Sequence, residues 1–315
     1  MSASTSLSSE KTGKRKPRQF APLYPHAKHG HDLPKLRGIV FDVDGTLCLP
    51  QNYMFKEMRA ALDISPSIDI LDHVRSLPNE PDTVDSDNSA TAQTDASSEN
   101  HSTTTSSQPP ATDLVSPSLS INTPPSSPQA RAVAKIQAIE RRAMTTQRPQ
   151  PGLQSLMSYL TRRNIPKALC TRNFPAPVDH LLEHFLHGEE FGTFEPIITR
   201  DTEGISPKPS PEGLWRIAQH WGLDKDTDGI GEYVKVHGGG DFDPLELARR
   251  FLGSGLIMVG DSIDDMAAGY RAGAATVLLV NEENVELTKH RYTGRSVRRL
   301  DELIDILEEG FVEEG

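Results

Sequence analysis

Two aspartates, Asp42 and Asp44, directly follow a short apolar run and are separated by a single residue. The run Ile39-Val40-Phe41 is typical of a strand buried inside a parallel sheet, where an isolated charge is unfavourable. Gly45 comes next, and an Asp-Gly pair on its own is ordinary turn chemistry. The two carboxylates become candidates for chemistry only if other segments bring suitable groups to the same place.

Two later apolar segments also end in polar residues. The segment that ends at Cys170 is followed by the sequence TRN, and the segment 255–260 is followed by DSIDD. A lysine lies between them, in the loop sequence SPKPSPEG. Each of these groups alone would be explained as a turn or a helix cap. Together they make a candidate site that consists of Asp42, Asp44, Thr171, Asn173, Lys208 and Asp261, with Asp264 and Asp265 close behind.

The candidate acids predict a metal ion. Clustered carboxylates repel one another, so their assembly in one site requires a cation. Neither histidine nor cysteine belongs to the set, and hard oxygen ligands favour Mg²⁺ over zinc. Mg²⁺ in such sites keeps some water ligands and binds substrate phosphate oxygens. The hydroxyl of Thr171 and the ammonium of Lys208 are suited to holding a phosphoryl group.

These residues must be positioned by a regular fold, and the pattern of the chain predicts one. Apolar strands are expected at about 36–42, 165–171, 194–199, 255–261 and 275–280, and helical patterns separate them. Two of the helices are expected at 244–252 and 297–310. This alternation predicts an α/β fold with a doubly wound, Rossmann-like parallel sheet. Ligands of such sheets bind at the carboxyl ends of the strands, where the candidate residues lie.

The composition predicts how the rest of the chain is organised. Residues 1–34 are expected to be a flexible basic tail, and residues 35–47 with 151–315 to form the α/β core. A small helical cap is expected over 48–150, with helices at 52–64, 67–77 and 131–146. From Pro81 to Ala130 there is no aromatic residue, lysine or arginine. Because such a segment cannot bury enough apolar area, residues 78–130 are expected to be disordered.

Charge and composition also restrict the partners. The net charge of −11 argues against nucleic acid, whose phosphates require clustered lysine and arginine. No apolar run is long enough to span a bilayer, so no membrane partner is expected. Two cysteines without a disulfide framework favour a reducing compartment such as the cytoplasm, and the basic N-terminus is compatible with a nuclear or mitochondrial address. The sequence specifies no protein partner.

The motifs DVDGTL, LCTRN, KPSP and VGDSIDD, in this order, resemble the four motifs of the haloacid-dehalogenase-like (HAD) hydrolase superfamily. The resemblance covers residues from about 36 to 310, apart from the polar insert. It is closest to the capped phosphatases, in which the cap lies between the first and second motifs. The chain departs from the family in having a small, interrupted cap and a long insertion, DKDTDGIGEYVKVHGGGDFD, before the fourth motif.

The resemblance implies a phosphatase mechanism. Asp42 would be the nucleophile that forms an aspartyl-phosphate, and Asp44 would protonate the leaving oxygen and then deprotonate water. Mg²⁺ would be bound by Asp42, Asp261 and the carbonyl oxygen of Asp44, with Asp265 rather than Asp264 assisting. Thr171 and Lys208 would hold the phosphoryl group, and Asn173 would orient the substrate or the loop. The expected substrate is a small phosphorylated metabolite.

Several other functions use this scaffold. Dehalogenases lack the second aspartate, pumps of the P-type need membrane helices, and phosphonate hydrolases need a Schiff-base lysine in the cap, where Lys56 and Lys135 are the candidates. A phosphomutase uses the same two acids and remains an alternative. A non-catalytic binding or scaffold module is the alternative from a different class.

Overall fold

The sheet of this protein contains six parallel strands in the order β3-β2-β1-β4-β5-β6. The computed structural model describes residues 17–30, 32–80, 127–225 and 252–314. The order places β1 in the interior of the sheet, between β2 and β4. The strands are β1 (Gly38–Phe41), β2 (Lys167–Cys170), β3 (Ile197–Ile198), β4 (Leu256–Gly260), β5 (Ala275–Leu279) and β6 (Arg295–Val297).

Helices cover both faces of this sheet. Ile39 and Phe41 of β1 are fully buried in a cluster with α4, α5 and α8, whereas Val40 is buried on the other side with α6 and α7. This double coverage explains why β1 is apolar throughout, and it confirms the predicted doubly wound α/β fold. The described helices are α1 (Tyr53–Leu62), α2 (Ile70–Ser76), α3 (Pro128–Met144), α4 (Leu153–Arg162), α5 (Pro175–Phe185), α6 (Glu212–His220), α7 (Ile263–Ala272) and α8 (Glu302–Glu309).

The register of the central strands brings their carboxyl ends to one level. Phe41, the last residue of β1, pairs with Leu169 of β2 and with Val259 of β4. The amide of Asp42 then donates to the carbonyl oxygen of Val259 across 3.0 Å. The residues that follow β1, β2 and β4 therefore leave the sheet along the same edge.

The C-terminal part of the chain differs from the prediction in one element. Residues 297–310 are predicted as one helix, but Val297 ends the edge strand β6 and the helix α8 begins only at Glu302. Arg295 and Ser296 are half-buried, and β6 has a single fully buried side chain, that of Val297. Such a short polar edge strand lacks the apolar run by which the other strands are recognised.

Residues 1–16 of the predicted flexible tail over 1–34 lie outside the described residues, but the described residues that follow differ from this prediction. Phe20 is buried, and its ring centroid lies 5.9 Å from that of Phe311. The amide of Leu23 donates to the carbonyl oxygen of Leu307 in α8 across 2.8 Å. Phe20 supplies an apolar anchor that offsets the entropy lost by ordering this stretch.

The chain divides into two compact units, Met1–Phe55 with Ile139–Gly315 and Lys56–Ala138. The second unit is shorter than the predicted cap over 48–150. Within it, the ammonium of Lys135 donates to the carbonyl oxygen of Ala61 across 3.0 Å. The side-chain amide of Gln129 donates to the carbonyl oxygen of Val74 across 3.2 Å. These contacts join α1, α2 and α3.

The helix α3 begins at Pro128, three residues before the predicted start. The Ser127 hydroxyl accepts a hydrogen bond from the amide of Ala130 across 3.1 Å, as an N-cap residue does. Proline suits the first helical position because its missing N–H would have no partner there. The predicted disorder over 78–130 is therefore too long at its C-terminal end.

Residues 81–126 and most of the predicted helix 244–252 lie outside the described residues. Among the described helices, none has both the length and the apolar character to cross a membrane.

Candidate active site

A buried lysine joins the end of β1 to the start of α7 at the predicted edge. The ammonium of Lys208 lies 2.5 Å from Oδ1 of Asp42, directly after β1, and 2.6 Å from Oδ1 of Asp265, in the first turn of α7. Burial alone would lower the pKa of Lys208, but Asp265 and Asp42 raise it above its usual value. Lys208 is therefore a permanent cation in this site.

Asp265 is held in its charged form by the start of α7. The hydroxyl of Ser262 accepts from the amide of Asp265, while Oδ2 of Asp265 accepts from the amide of Ser262 at 3.0 Å and from its hydroxyl at 2.7 Å. This capping box satisfies two backbone donors at the helix start. Burial raises the pKa of Asp265, but Lys208 and Ser262 outweigh it and leave the pKa below its usual value.

Asp44 has a different environment, in which its described side-chain contacts are hydrogen bonds and not an ion pair. The side-chain amide of Asn173 donates to Oδ2 of Asp44 across 2.8 Å, and the Cys48 thiol lies 3.3 Å from Oδ1. Burial raises the pKa of Asp44, and the hydrogen bonds from Asn173 and Cys48 oppose this only in part. A raised pKa suits a group that must carry a proton.

Asp261 follows β4 and approaches the backbone of the first motif. Its carbonyl oxygen accepts from the side-chain amide of Asn284 across 2.7 Å, which fixes the strand end. A Cβ added to Gly45 would lie 2.0 Å from Oδ2 of Asp261. Gly45 also has a φ of +80°, so both its conformation and this close approach require glycine.

Thr171 and Asn173 form a small turn after β2. The hydroxyl oxygen of Thr171 accepts from the amide of Asn173 across 3.2 Å. This contact leaves the hydroxyl hydrogen of Thr171 free to donate to a phosphate oxygen. Both side chains are buried, so the turn presents a hydroxyl and an amide inside the site.

The acids at this edge fit a hard cation. One oxygen from each of Asp42, Asp261 and Asp265 lies within 4.8 Å of the others. Lys208 is shared by two of them, and within the described part of the chain no basic side chain pairs with Asp261. Burial, with the charges of Asp265 and Asp42, raises the pKa of Asp261 to about 8. Burial likewise raises the pKa of Asp42 to about 6, against the effect of Lys208. A divalent ion would offset this excess of negative charge.

The two acids of the last motif point to different partners. Asp264 points to Arg172, with 2.7 Å between its Oδ2 and the guanidinium, whereas Asp265 points to Lys208. The predicted site residues thus lie at this edge of the sheet. Asp264 instead forms a partly exposed ion pair with Arg172.

Three supporting residues were missed by sequence reasoning. Cys48 contacts Asp44, Asn284 donates to Asp261, and the side-chain amide of Gln150 donates to the carbonyl oxygen of Gly45 across 2.8 Å. Ser262 is a further supporting residue, and its role can be read from the sequence, because a serine three residues before an acid is a recognisable cap. Asn284 and Gln150 have no such local signal, since they are distant in the chain from the residues that they support.

Comparison with known proteins gives the same assignment as the motifs. Residues 36–273 match the family model of haloacid dehalogenase-like hydrolases. The chain is 32% identical to an uncharacterized hydrolase of Saccharomyces cerevisiae over 279 residues, which is 88% of this chain and 93% of the yeast protein. It is 27% identical over 256 residues to a haloacid dehalogenase-like hydrolase domain-containing protein of Arabidopsis thaliana. This match covers 78% of this chain and 71% of the Arabidopsis protein.

Solved structures share the fold at much lower identity. A protein of Lactobacillus plantarum, provisionally described as a phosphoglycolate phosphatase, has a TM-score of 0.51 and 13% sequence identity. The match covers 86% of this chain and 99% of that protein. At this level of identity the likeness concerns the fold alone.

Proposed function

The chain belongs to the haloacid dehalogenase-like hydrolase family, and we propose from its site that it is a Mg²⁺-dependent phosphatase of a small phosphate monoester. The phosphoryl group is transferred first to the carboxylate of Asp42 and then to water. The reacting groups belong to the residues that follow the carboxyl ends of β1, β2 and β4, together with Lys208.

The different environments of Asp42 and Asp44 support this proposal most directly. Burial raises the pKa of Asp42 to about 6, but its ion pair with the ammonium of Lys208 favours the charged form that a nucleophile needs. Asp44 is surrounded by the amide of Asn173 and the thiol of Cys48, and burial raises its pKa. Two carboxylates one residue apart are thus prepared for different tasks.

The reaction follows from these roles. The carboxylate of Asp42 attacks phosphorus, the bond from phosphorus to the ester oxygen breaks, and Asp44 gives its proton to that oxygen. A water molecule then attacks the phosphorus of the aspartyl-phosphate, and Asp44 takes the proton of this water. Inorganic phosphate leaves and both aspartates return to their first state.

The remaining groups hold the phosphate while its charge shifts. The hydroxyl of Thr171 and the ammonium of Lys208 donate to the phosphoryl oxygens. Mg²⁺ would be bound by the side chains of Asp42 and Asp261 and the carbonyl oxygen of Asp44, with assistance from Asp265, and it would neutralise negative charge on the transferred group. The hard oxygens of this set favour Mg²⁺.

The test is phosphate release from 4-nitrophenyl phosphate by the purified full chain, with Mg²⁺ and after chelation by EDTA. We expect activity only with the metal, and we expect Asp42→Asn to abolish it because the amide is not a nucleophile. Asp264→Asn is the matched control, since it removes a nearby carboxylate outside the catalytic set. Activity retained by Asp42→Asn, or none in the wild type with any phosphate ester, would overturn the proposal.

The same assay separates the alternatives. A phosphatase releases inorganic phosphate, whereas a phosphomutase returns the phosphoryl group to an isomer of the substrate. A scaffold module would give neither product, even at high protein concentration.

A further inference from the structure

Two arginines approach the ring of Phe174, which follows in sequence a residue that contacts the proposed proton donor. Phe174 is buried and directly follows Asn173, whose amide holds Asp44. The Cζ atom of Arg141 lies 5.7 Å from the centroid of this ring, and that of Arg200 lies 5.8 Å from it. Both distances are within the range of a cation–π contact.

One of these arginines is already neutralised. The guanidinium of Arg200 donates to both carboxylate oxygens of Glu140, across 3.2 and 2.7 Å. The backbone amide of Arg200 also donates to the carbonyl oxygen of Asn173 across 2.9 Å. The pair is largely buried, and such a pair fixes geometry more than it adds stability.

Glu140 lies close enough to Asp44 for the charge of Asp44 to affect its pKa. Burial raises its pKa, Arg200 opposes this, and the charge of Asp44 raises it further. The hydrogen bonds of Arg200 to Glu140 and to Asn173 therefore join the end of α3 to the turn whose amide holds Asp44.

Arg141 is the next residue of α3, and among the described residues no acidic side chain pairs with its guanidinium. Its side chain is exposed, and in the described part of the chain it makes no ion pair and no hydrogen bond. A cation near a helix C-terminus is favoured by the helix dipole alone. That effect does not account for the contact with Phe174, which places the guanidinium next to the residue that supports Asp44.

We propose that Arg141 binds a second anionic group on the leaving part of the substrate, so that the preferred phosphate ester also carries a carboxylate or a second phosphate. The inference rests on the proposed function, because it takes Asp44 as the donor to the leaving oxygen. A leaving group that meets Asp44 extends past Asn173 towards the ring of Phe174. The planar guanidinium of arginine binds carboxylate and phosphate through two parallel hydrogen bonds.

The experiment compares esters that differ only in the second anion. The pairs are 3-phosphoglycerate with glycerol 3-phosphate, and glucose 1,6-bisphosphate with glucose 6-phosphate. The wild type is expected to prefer the member with the second anionic group in at least one pair. The pair in which it does so shows whether that group is a carboxylate or a phosphate. In Arg141→Gln that preference is expected to fall about 10- to 100-fold, mainly through KM, as for loss of a charged hydrogen bond.

Arg142→Gln is the matched control, because it removes the neighbouring exposed cation from the same helix end. It is expected to keep the preference of the wild type. Equal loss in both variants would show a general charge effect, and an unchanged preference in Arg141→Gln would overturn the inference. Turnover of 4-nitrophenyl phosphate with no preference in either pair would overturn it while leaving the proposed function intact. No turnover of any ester would instead overturn the proposed function.

Discussion

The side-chain amide of Asn173 donates a hydrogen bond to Oδ2 of Asp44 across 2.8 Å, and so connects the residues that follow β2 and β1. The bond orients the carboxylate that we propose as the proton carrier. Asn173→Ala is expected to lower kcat for an alkyl phosphate about 10- to 100-fold, because a hydrogen bond to a charged group contributes roughly 1.5–3 kcal/mol. Steady-state kinetics at saturating Mg²⁺ would measure it.

Asn173→Asp is a second variant that tests the same hydrogen bond. It keeps the size of the side chain but places a second carboxylate against Asp44, where like charges repel. We expect a greater loss than in Asn173→Ala. If both variants kept the wild-type kcat, Asn173 would have no part in positioning Asp44.

The proton transfer by Asp44 has its own signature. Asp44→Asn is expected to lower kcat by about 10²–10⁴-fold for esters with poor leaving groups, which need the proton most. For 4-nitrophenyl phosphate, whose leaving group is stable as an anion, the loss should be much smaller. The measurement is kcat/KM across a series of aryl and alkyl phosphates, and equal losses throughout would contradict the role of Asp44 as general acid.

The site residues that could be predicted from the sequence are those that directly follow strands. Asp42 and Asp261 terminate apolar runs, and parallel strands bring such ends to one edge of the sheet. The position of Lys208 in a loop could be read, but its two contacts depend on the fold. The contact of Glu140 with Arg200 joins residues 60 positions apart, and neither residue belongs to a local pattern that predicts it.

The strands and helices were predictable where their periodicity was strong. β4 and β5 are continuous apolar runs and were predicted within two residues of their observed ends. β6 was missed because its residues are mostly polar and its place is determined by pairing with β5. The packing of Phe20 on Phe311 was missed for a similar reason, since a single aromatic residue in a polar segment does not predict its partner.

The excess of carboxylates predicts that stability without metal depends on pH. Burial raises the pKa of Asp261 to about 8, with contributions from Asp265 and Asp42, and raises that of Asp42 to about 6. Lys208 opposes both shifts, and Asp44 adds to them. Between about pH 4 and 8 the folded chain therefore holds protons that the unfolded chain has lost, so stability falls as pH rises through this range.

Thermal unfolding in EDTA is expected to show a lower Tm at pH 8 than at pH 5. Each kcal/mol lost corresponds to about 2–4 °C for a domain of this size. Mg²⁺ should raise Tm more at pH 8 than at pH 5, because it binds the deprotonated acids. Asp261→Asn should weaken both trends. A Tm in EDTA that rises from pH 5 to 8 would contradict the assignment of these acids as an uncompensated cluster.

The close approach of Asp261 to Gly45 gives a test with a matched control. Gly45→Ala must accommodate a Cβ 2.0 Å from Oδ2 of Asp261 at a φ of +80°. Gly204→Ala meets the same conformational penalty at a φ of +69°, but nothing lies within 4 Å of its Cβ. We expect both variants to lose some Tm and only Gly45→Ala to lose most of its activity. Equal activity losses in the two variants would show that the contact with Asp261 is unimportant.

The polar insert can be tested by deletion, since the structure brings its flanks together. The hydroxyl of Ser127 lies 3.4 Å from Oδ1 of Asn79, and the amide of Gln129 donates to the carbonyl oxygen of Pro78 across 3.1 Å. A linker of a few glycine and serine residues that ends in alanine can therefore replace residues 81–126. Because this segment contains no aromatic residue and no lysine or arginine, we expect Tm and kcat to change little.

A second deletion, of residues 81–128, is the matched comparison for the start of α3. It removes two more residues, the N-cap Ser127 and Pro128 at the first helical position, and in both proteins the linker ends in alanine, which does not act as an N-cap. Loss of an N-cap costs about 0.5–2 kcal/mol, so the longer deletion should have a Tm several degrees below that of the shorter one. Circular dichroism melts of both proteins measure the difference. Equal melting temperatures would show that α3 does not depend on this cap, and unfolding of both would show that the insert itself stabilises the chain.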